Sequence, residues 1–484
     1  MRRVSFTCMA GVVLMGAAPA LDVRGSLELA GELLEQGKTK EGFKLLDSAR
    51  KAATTPRERA AVAVSQAAFR YAAGDRVAGM KAFEEAQALV PDEPFVAEAM
   101  YRFGQEAGDL DLAVRGLDRL IGSYPDVARE LEPTPVYSVL NGLFLTGRRD
   151  EDRAMRARLG RIGFGGDNVA VRDGFAFSAI RDHMSRGERE EAGRIAASVV
   201  DRETLVTLLT DRSYEALWPG IEARVGDRME QASAAALMSA ERLFKAQPDN
   251  VEARAAMVTA LVDADREVEA EKLAAAFAAT PEDLQAIEEA GGWLINHHAR
   301  ILRSLKRRDE ADARMAQLAD LDISAKTWLI SMRINRFIAL IKNGKLDEAA
   351  PLLTEAVPLA QRFGSPYARQ LVRMHSLCHA VMQKRQTDAA AMLPDVLAHE
   401  ADGRTATAEA LMCLGQTDEA ANRVVALLED ENQRSGMIDY LQPAKVDIGS
   451  RWPGDLSSLR DRSDVNSAFE KFGRTLPVRF RHPD

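Results

Sequence analysis

The chain has 484 residues, of which 46% are hydrophobic and 6% aromatic, and its formal net charge at pH 7 is -9. This hydrophobic content excludes wholesale disorder, and the acidic balance disfavours a general binder of nucleic acid or anionic lipid. The length exceeds what one hydrophobic core usually organises, so several domains or a repeat array are expected.

The first twenty residues have the pattern of a secretory signal peptide. A basic start, Met1-Arg2-Arg3, precedes an uncharged apolar run over residues 4–16, and Ala18-Pro19-Ala20 supplies the small residues of a cleavage site. The run is too short to span a bilayer. We therefore predict cleavage after Ala20, a mature chain in the periplasm that begins at Leu21, and no integral membrane segment thereafter.

A spaced set of residues occurs twice, thirty-four positions apart. A turn glycine is followed by three residues that share one helix face and then by a proline that ends the helix. The two copies are Gly74, Gly79, Phe83, Ala86 and Pro91, and Gly108, Ala113, Leu117, Leu120 and Pro125. The small residue five positions after the turn allows the two helices of a hairpin to approach closely.

Further copies follow along the chain. One comprises Gly344, Ala349, Leu353 and Ala356. Others begin at Gly37, Gly187 and Gly415. Asp265, Lys306 and Lys384 replace the turn glycine in three more copies. The unit at Gly147 departs from the pattern, because Asp152 and Arg156 stand where the small and apolar residues are expected.

This thirty-four-residue period resembles the tetratricopeptide repeat (TPR) family, most closely over residues 57–125. The resemblance implies an all-α, right-handed superhelical α-solenoid that holds a peptide or protein in a concave groove lined by the first helix of each hairpin. We predict TPR-like repeats over residues 21–160 and 231–442, an irregular helical region over 161–230, and a capping helix and tail over 443–484.

Three segments interrupt the repeats, and the first is a glycine-rich stretch over residues 161–167 that is expected to be an open loop. In the irregular region, Pro219 is expected to kink or end a helix. Near the end, residues 456–472 are predicted to form one amphipathic helix through Leu459, Val465, Phe469 and Phe472. A solenoid needs an element that covers its last apolar face, and this helix is expected to provide it.

Catalytic and cofactor motifs are absent from the sequence. No nucleotide-binding, nucleophile-elbow or zinc-protease motif is found, so no enzyme activity, metal or cofactor is expected. His375, Cys378 and His379 favour a packed thiol flanked by partly exposed imidazoles over a metal site. An oxidising compartment permits a Cys378–Cys413 bridge, but an axial offset of roughly 6 Å between the neighbouring helices disfavours it.

The segment over residues 291–376 is basic, with 14 Lys and Arg against 8 Asp and Glu. Its donors fall mainly on predicted first helices: Asn296, Arg300, Arg303, Arg333, Asn335, Arg336, Arg369 and Arg373. The resemblance would place them along one channel, where arginine suits carboxylates. A solvated face, balanced by acids on neighbouring helices, is the alternative.

These features predict a non-catalytic scaffold of the bacterial envelope that binds a protein or peptide, acidic where it meets the arginines. One alternative is a binder of a small anionic ligand in the basic groove. Another is the structural superhelix of a cell-wall enzyme complex. About 55 residues follow the last repeat, too few for a typical separate catalytic domain.

Overall fold

The structure is a computed structural model that describes residues 21–443 and 452–481. The predicted signal peptide lies outside the described residues. The chain divides into two compact units, the first comprising Met1–Gly166 with Gly174–Asp182 and the second comprising Asp167–Asp173 with His183–Asp484.

Within residues 21–182, nine complete helices belong to the first unit and a tenth is divided between the two units. The helices of the first unit are α1 (Leu21–Glu35), α2 (Thr39–Ala52), α3 (Pro56–Ala72), α4 (Arg76–Leu89), α5 (Phe95–Ala107), α6 (Leu110–Ser123), α7 (Pro125–Arg129), α8 (Pro133–Leu145) and α9 (Arg149–Ile162). The shared helix is α10 (Val169–Ser185).

The second unit continues with α-helices and short 3-10 helices. Its α-helices are α11 (Arg189–Ala196), α12 (Arg202–Thr210), α13 (Trp218–Val225), α14 (Glu230–Ala246), α15 (Val251–Asp263), α16 (Glu267–Ala275), α17 (Pro281–Ala286), α18 (Glu289–Ser304), α19 (Arg308–Ala316), α20 (Leu329–Lys342), α21 (Leu346–Phe363), α22 (Pro366–Met382), α23 (Gln386–Ala398), α24 (Arg404–Cys413), α25 (Thr417–Glu429), α26 (Arg434–Tyr440) and α27 (Ser463–Phe472). The 3-10 helices are Arg212–Leu217, Asp227–Met229, Glu400–Asp402, Leu456–Asp461 and Val478–Phe480.

Within the described residues, ten of the turns between successive helices have a positive-φ residue at the position predicted for a hairpin turn. Seven use glycine: Gly37, Gly74, Gly108, Gly147, Gly187, Gly344 and Gly415. Asp265, Lys306 and Lys384 adopt the same left-handed conformation at φ of 57°, 64° and 61°. This conformation ends a helix and redirects the chain. Residues with a side chain adopt it at a cost in free energy, whereas glycine does not. We call the helix before each turn residue the first helix and the one after it the second helix.

The prediction of an all-α array of TPR-like hairpins is confirmed. Helices pack in sequential pairs, such as α3 with α4, α5 with α6 and α20 with α21. Within the described residues, the β pairing is limited to one isolated bridge between Asp211 and Gly473. The right-handed superhelix and the finer domain boundaries stay predictions.

Small residues let the two helices of a hairpin approach. A Cβ added to Gly79 would lie 2.3 Å from the Tyr71 ring, and Phe83 and Ala86 are fully buried in the same cluster. Close contact at Gly79 requires glycine, because any Cβ there would hold the helices apart.

The later residues of the repeat pattern occupy equivalent positions. Most are buried: Ala113, Leu117, Leu120, Ala349, Leu353 and Ala356. Pro91 is exposed and lies just beyond the end of α4. Pro125 lies beyond the end of α6 and is the first residue of α7. A proline at the start of a helix loses no intrahelical hydrogen bond.

The hairpin at Gly147 uses a polar contact where the other units use a small or apolar one. Asp152 is buried and accepts a hydrogen bond from Arg156 Nε at 2.8 Å. Because the carboxylate is paired with a guanidinium, the departure of this unit from the repeat pattern is compatible with the fold.

Two predictions about element ends are wrong. Pro219 stands in the first turn of α13, where its fixed φ suits helix initiation, so it neither ends nor kinks a helix. Residues 456–472 form two helices instead of one, because Arg462 has an extended backbone with ψ of 139°. The shorter helix α27 still packs on the last hairpin through Val465 and Phe469.

The two ends of the second unit contact each other. Arg474 Nη2 and Arg479 Nη2 donate to the two carboxylate oxygens of Glu222 at 2.7 and 2.6 Å. The Arg474 guanidinium lies 3.6 Å from the centre of the Trp218 ring, and Arg202 Nη2 donates to the carbonyl oxygen of Phe480 at 2.9 Å. The C-terminal segment therefore covers the last hairpin and also joins it to the beginning of this unit.

Within residues 21–443 and 452–481, no helix is long and apolar enough to span a membrane.

Candidate functional site

Two pockets of similar form lie where a first helix meets the second helices on either side. The first arginine pocket, about 310 Å³, lies between α20 and its neighbours α19 and α21. The second arginine pocket, about 360 Å³, lies between α22 and its neighbours α21 and α23. Both volumes are within the range of small-molecule and side-chain binding pockets.

Equivalent residues line the two pockets at positions forty residues apart. Met332, Arg333, Leu352 and Glu355 line the first pocket. Val372, Arg373, Met392 and Asp395 line the second. Each member of the second set stands forty positions after its counterpart. The chain therefore repeats an apolar floor and an arginine–carboxylate pair in two successive hairpins.

Each arginine bonds to a carboxylate on the second helix of its own hairpin. Arg333 Nη1 donates to Glu355, and Arg373 Nε donates to Asp395 Oδ2 at 2.9 Å. The arginine side chains are 19% and 20% exposed, whereas Glu355 and Asp395 are 50% and 62% exposed. Since the carboxylates are largely in water, each ion pair contributes little to stability and its arginine can exchange partners.

Some donors of these arginines are not used within the described residues. Arg333 Nε and Arg373 Nη1 are buried and make no hydrogen bond there. Arg336, which lines the first pocket, likewise leaves Nε unpaired. Buried donors are normally satisfied, so these N–H groups provide hydrogen-bonding capacity at the pocket walls.

The other predicted donors are distributed differently. Arg369 lines the second pocket and donates from Nη1 to the carbonyl oxygen of Gly364 at 2.8 Å. Asn335 donates to Asn296 at 3.4 Å, so these two amides join neighbouring first helices. Arg300 is exposed, and burial lowers the pKa of Arg303 from its ordinary value.

Four of the eight predicted residues, Arg333, Arg336, Arg369 and Arg373, line the two arginine pockets, and the other four do not line them. A single channel along the first helices stays a prediction. Acids on neighbouring helices were expected as the alternative, but Glu355 and Asp395 were not identified from the sequence. A comparison of the chain with itself at a shift of forty residues would have found both arginine–carboxylate pairs.

A second polar cluster lies on the opposite side of α22. His375 is fully buried, stacks on Trp452 with ring centres 5.3 Å apart, and contacts Phe337 edge to face. Burial lowers the pKa of His375 to about 3, so the ring is neutral at pH 7. The imidazoles of His375 and His379 are both buried, so the expectation that they are partly exposed is wrong.

Cys378 and Cys413 form a disulfide, with their Cα atoms 5.3 Å apart. The sequence-based offset disfavoured this bridge, and that expectation is wrong. The predicted offset assumed that neighbouring first helices keep the same register. That assumption does not hold here, because α24 is short and ends at Cys413 itself. The bridge ties α22 to α24.

Glu409 lies beside this disulfide. Burial raises the pKa of the Glu409 carboxyl above its ordinary value. The Tyr440 hydroxyl donates to Glu409 Oε1 at 2.8 Å.

Across the described parts of the chain, His, Cys, Asp and Glu side chains form no group of three or more that could hold a metal ion.

No protein-family model and no curated protein matches the chain. Solved structures show only distant similarity, of which three examples follow. The APC/C hetero-tetramer Cut9–Hcn1 is 12% identical with a TM-score of 0.29, covering 97% of this chain and 99% of that one.

The TPR domain of P58(IPK) is 14% identical with a TM-score of 0.20, covering 82% and 99% of the two chains. Naa15/Naa10 bound to HypK-THB is 12% identical with a TM-score of 0.23, covering 93% and 74%. At these scores no functional property of those proteins carries over. The chain's own helices define its class, an all-α solenoid of TPR-like hairpins.

Proposed function

We propose that this chain is a non-catalytic, exported scaffold of the bacterial envelope that holds a peptide or protein partner through its two arginine pockets. The observation that carries the proposal is the repetition of one pocket, with its arginine–carboxylate pair, in successive hairpins. A repeated pocket suits an extended partner that presents similar side chains at intervals.

The pocket walls define what each site would hold. In the second pocket, Val372, Met392 and Val357 present apolar surface, and Arg373 Nη1 supplies an unused N–H. An apolar side chain of the partner would fill the floor, while a neighbouring carboxylate would bond to Arg373 in place of Asp395. Such an exchange retains one charge-assisted hydrogen bond and adds apolar burial.

Export is supported by two independent observations. The first twenty residues have the signal-peptide pattern, and the Cys378–Cys413 disulfide suits an oxidising compartment. N-terminal sequencing of protein from the envelope fraction should give Leu21 as the first residue. An intact Met1 on cytoplasmic protein would contradict the export part of the proposal.

A small anionic ligand is the second candidate, because each pocket has the volume of a small-molecule site. A photo-crosslinking residue at Val357 separates the two candidates. Val357 lines the second pocket, whereas Val77 is an exposed valine of the first unit that lines neither arginine pocket. A protein partner should cross-link from position 357 and not from position 77.

The arginine requirement is tested in the same cross-linking assay. Arg373→Ala should weaken capture about tenfold or more, since a hydrogen bond to a charged group contributes roughly 1.5–3 kcal/mol. Arg385→Ala is the matched control, because Arg385 is half exposed, directly precedes α23 and pairs with Asp388 on that helix. Equal capture by all three proteins, or equal cross-linking from positions 77 and 357, would refute the pocket as the binding site. Small-molecule binding without protein capture would favour the second candidate.

A further inference from the structure

One aromatic residue from outside the hairpins lies on the first helices of the second unit. Trp452 is 7% exposed. Its ring stacks on His375 of α22, and Lys342 Nζ of α20 lies 5.5 Å from the ring centre. His375 and Arg373 are two positions apart and so point to opposite sides of α22. This face is therefore distinct from the arginine pockets.

The turn that follows Trp452 lies over the disulfide. A Cβ added to Gly454 would be 3.0 Å from Cys413 Sγ and 3.1 Å from the carbonyl oxygen of Glu409, both on α24. Residues 452–454 therefore contact three successive first helices, α20, α22 and α24. A surface formed by first helices is thus covered by a segment of the same chain.

Trp452 packs in a different hydrophobic cluster from the apolar residues that follow it in the chain. It packs in the hydrophobic cluster of α20 to α24, whereas Leu456 and Leu459 pack in a separate cluster of α24 to α27. Asp455 fixes the start of the following 3-10 helix by accepting from the Ser457 backbone N–H at 3.0 Å. Withdrawal of residues 452–454 would leave this second anchorage in place.

Two buried polar groups of the Trp452–His375 contact have no hydrogen-bond partner within the described residues. His375 Nδ1 bonds to the carbonyl oxygen of Leu371 at 2.9 Å, so in the neutral ring Nδ1 carries the proton and Nε2 is an acceptor. His375 Nε2 and Trp452 Nε1–H are both buried without a hydrogen-bond partner in the described residues. Unpaired buried groups weaken an association, because each has lost its hydrogen bond to water. Trp452 is thus bound less tightly than its apolar burial alone would allow.

We propose that Trp452 and its turn occupy, in cis, a binding site for an aromatic residue on the first helices α20, α22 and α24, and that a partner's aromatic residue binds there when the turn withdraws. The inference goes beyond the scaffold function, because it concerns another face and sets a condition on binding to it.

A short peptide tests the site. The probe is N-acetyl-Trp-Pro-Gly-Asp-amide carrying a fluorinated indole, observed by fluorine NMR. Trp452→Ala vacates the site and should bind the probe saturably, whereas wild type should bind it at least about tenfold more weakly because Trp452 competes from the same chain. Trp293→Ala is the matched control, since Trp293 is a half-exposed tryptophan on the first helix α18, and it should behave as wild type.

Equal binding of the probe by wild type and Trp452→Ala would overturn the proposal, as would absence of binding by a folded Trp452→Ala. Withdrawal of the turn has its own measurement, the rate at which a phosphine reductant cleaves the Cys378–Cys413 disulfide. If the turn opens locally, the wild-type rate should not depend on urea below the unfolding transition. Reduction that follows global unfolding, with a steep urea dependence, would overturn the proposal.

Gly454→Ala provides a variant that keeps the tryptophan. The added methyl group would crowd Cys413 Sγ at 3.0 Å, so the turn should withdraw more often and disulfide reduction should accelerate about tenfold. This variant keeps the proposal falsifiable even if Trp452→Ala does not fold. An unchanged reduction rate in Gly454→Ala would count against a displaceable turn.

Discussion

Replacement of Gly104 by alanine tests how closely the paired helices approach. Gly104 on α5 faces Ala113 on α6. A Cβ added to Gly104 would lie 2.3 Å from the Ala113 backbone nitrogen and 2.8 Å from its Cα atom. Backbone atoms cannot rotate away as a side chain can, so Gly104→Ala requires the two helices to separate.

The expected magnitude follows from two opposing effects. Overpacking of a well-packed site typically lowers the free energy of unfolding by about 1–3 kcal/mol. Alanine within a helix is favoured over glycine by roughly 0.5–1 kcal/mol. Because the clash at Gly104 is with backbone, the first effect should dominate, and we expect Gly104→Ala to lose about 1–2 kcal/mol.

Gly174 on α10 is the matched control. It is exposed, belongs to the same unit, and has no atom within 4 Å of an added Cβ. Only the helix propensity applies there, so Gly174→Ala should gain roughly 0.5–1 kcal/mol. Urea unfolding followed by circular dichroism would compare the two variants with wild type. If Gly104→Ala is stabilised as much as Gly174→Ala, the close approach of α5 and α6 is refuted.

Three further predictions concern stability. Lys384→Gly should raise the free energy of unfolding by roughly 0.5–1 kcal/mol, since the left-handed φ of 61° is costly for lysine. Gly344→Ala should lower the free energy of unfolding by a similar amount. Equal urea midpoints for the two variants would contradict this prediction. Burial lowers the pKa of His375 from 6.5 to about 3, so stability should fall as pH drops from 6.5 toward 3, by up to about 1.4 kcal/mol per pH unit. The variant His375→Phe, titrated in parallel, should lose less, and an equally steep loss would refute the assignment. Ala86→Leu should cost about 1–3 kcal/mol at a fully buried site, and exposed Glu85→Leu less than about 0.5 kcal/mol; identical thermal midpoints would disprove the repeat register.

The hairpins could be predicted because their signals are local. A turn residue such as Gly344 and the small residue five positions later act within one helix pair, so their spacing alone locates the hairpin. The same spacing located Asp265, Lys306 and Lys384, which hold the left-handed conformation without glycine. Pro219 was misjudged because a proline suits the start of a helix as well as its end.

The site depended on contacts between helices, which a pattern along one helix does not contain. The arginines were found from charge, but their carboxylates are twenty-two residues further along, on another helix. The disulfide depended on the relative shift of α22 and α24. The contact of Trp452 with His375 joins residues far apart in sequence, so no local pattern predicted it.

The ion pair between Glu222 and Arg474 links an early helix of the second unit to its C-terminal segment. In an open array each terminal repeat has one neighbour and frays first. Here the first and last elements support each other across a sequence separation of 252 residues, whose closure costs on the order of 5 kcal/mol of chain entropy in the flexible-loop relation. Since α12 and α13 thereby contact the last elements of the unit, the position of the termini should matter little to the interfaces between them. A circular permutant opened at the turn of Gly344, with the natural ends of this unit linked, should therefore keep the same packing.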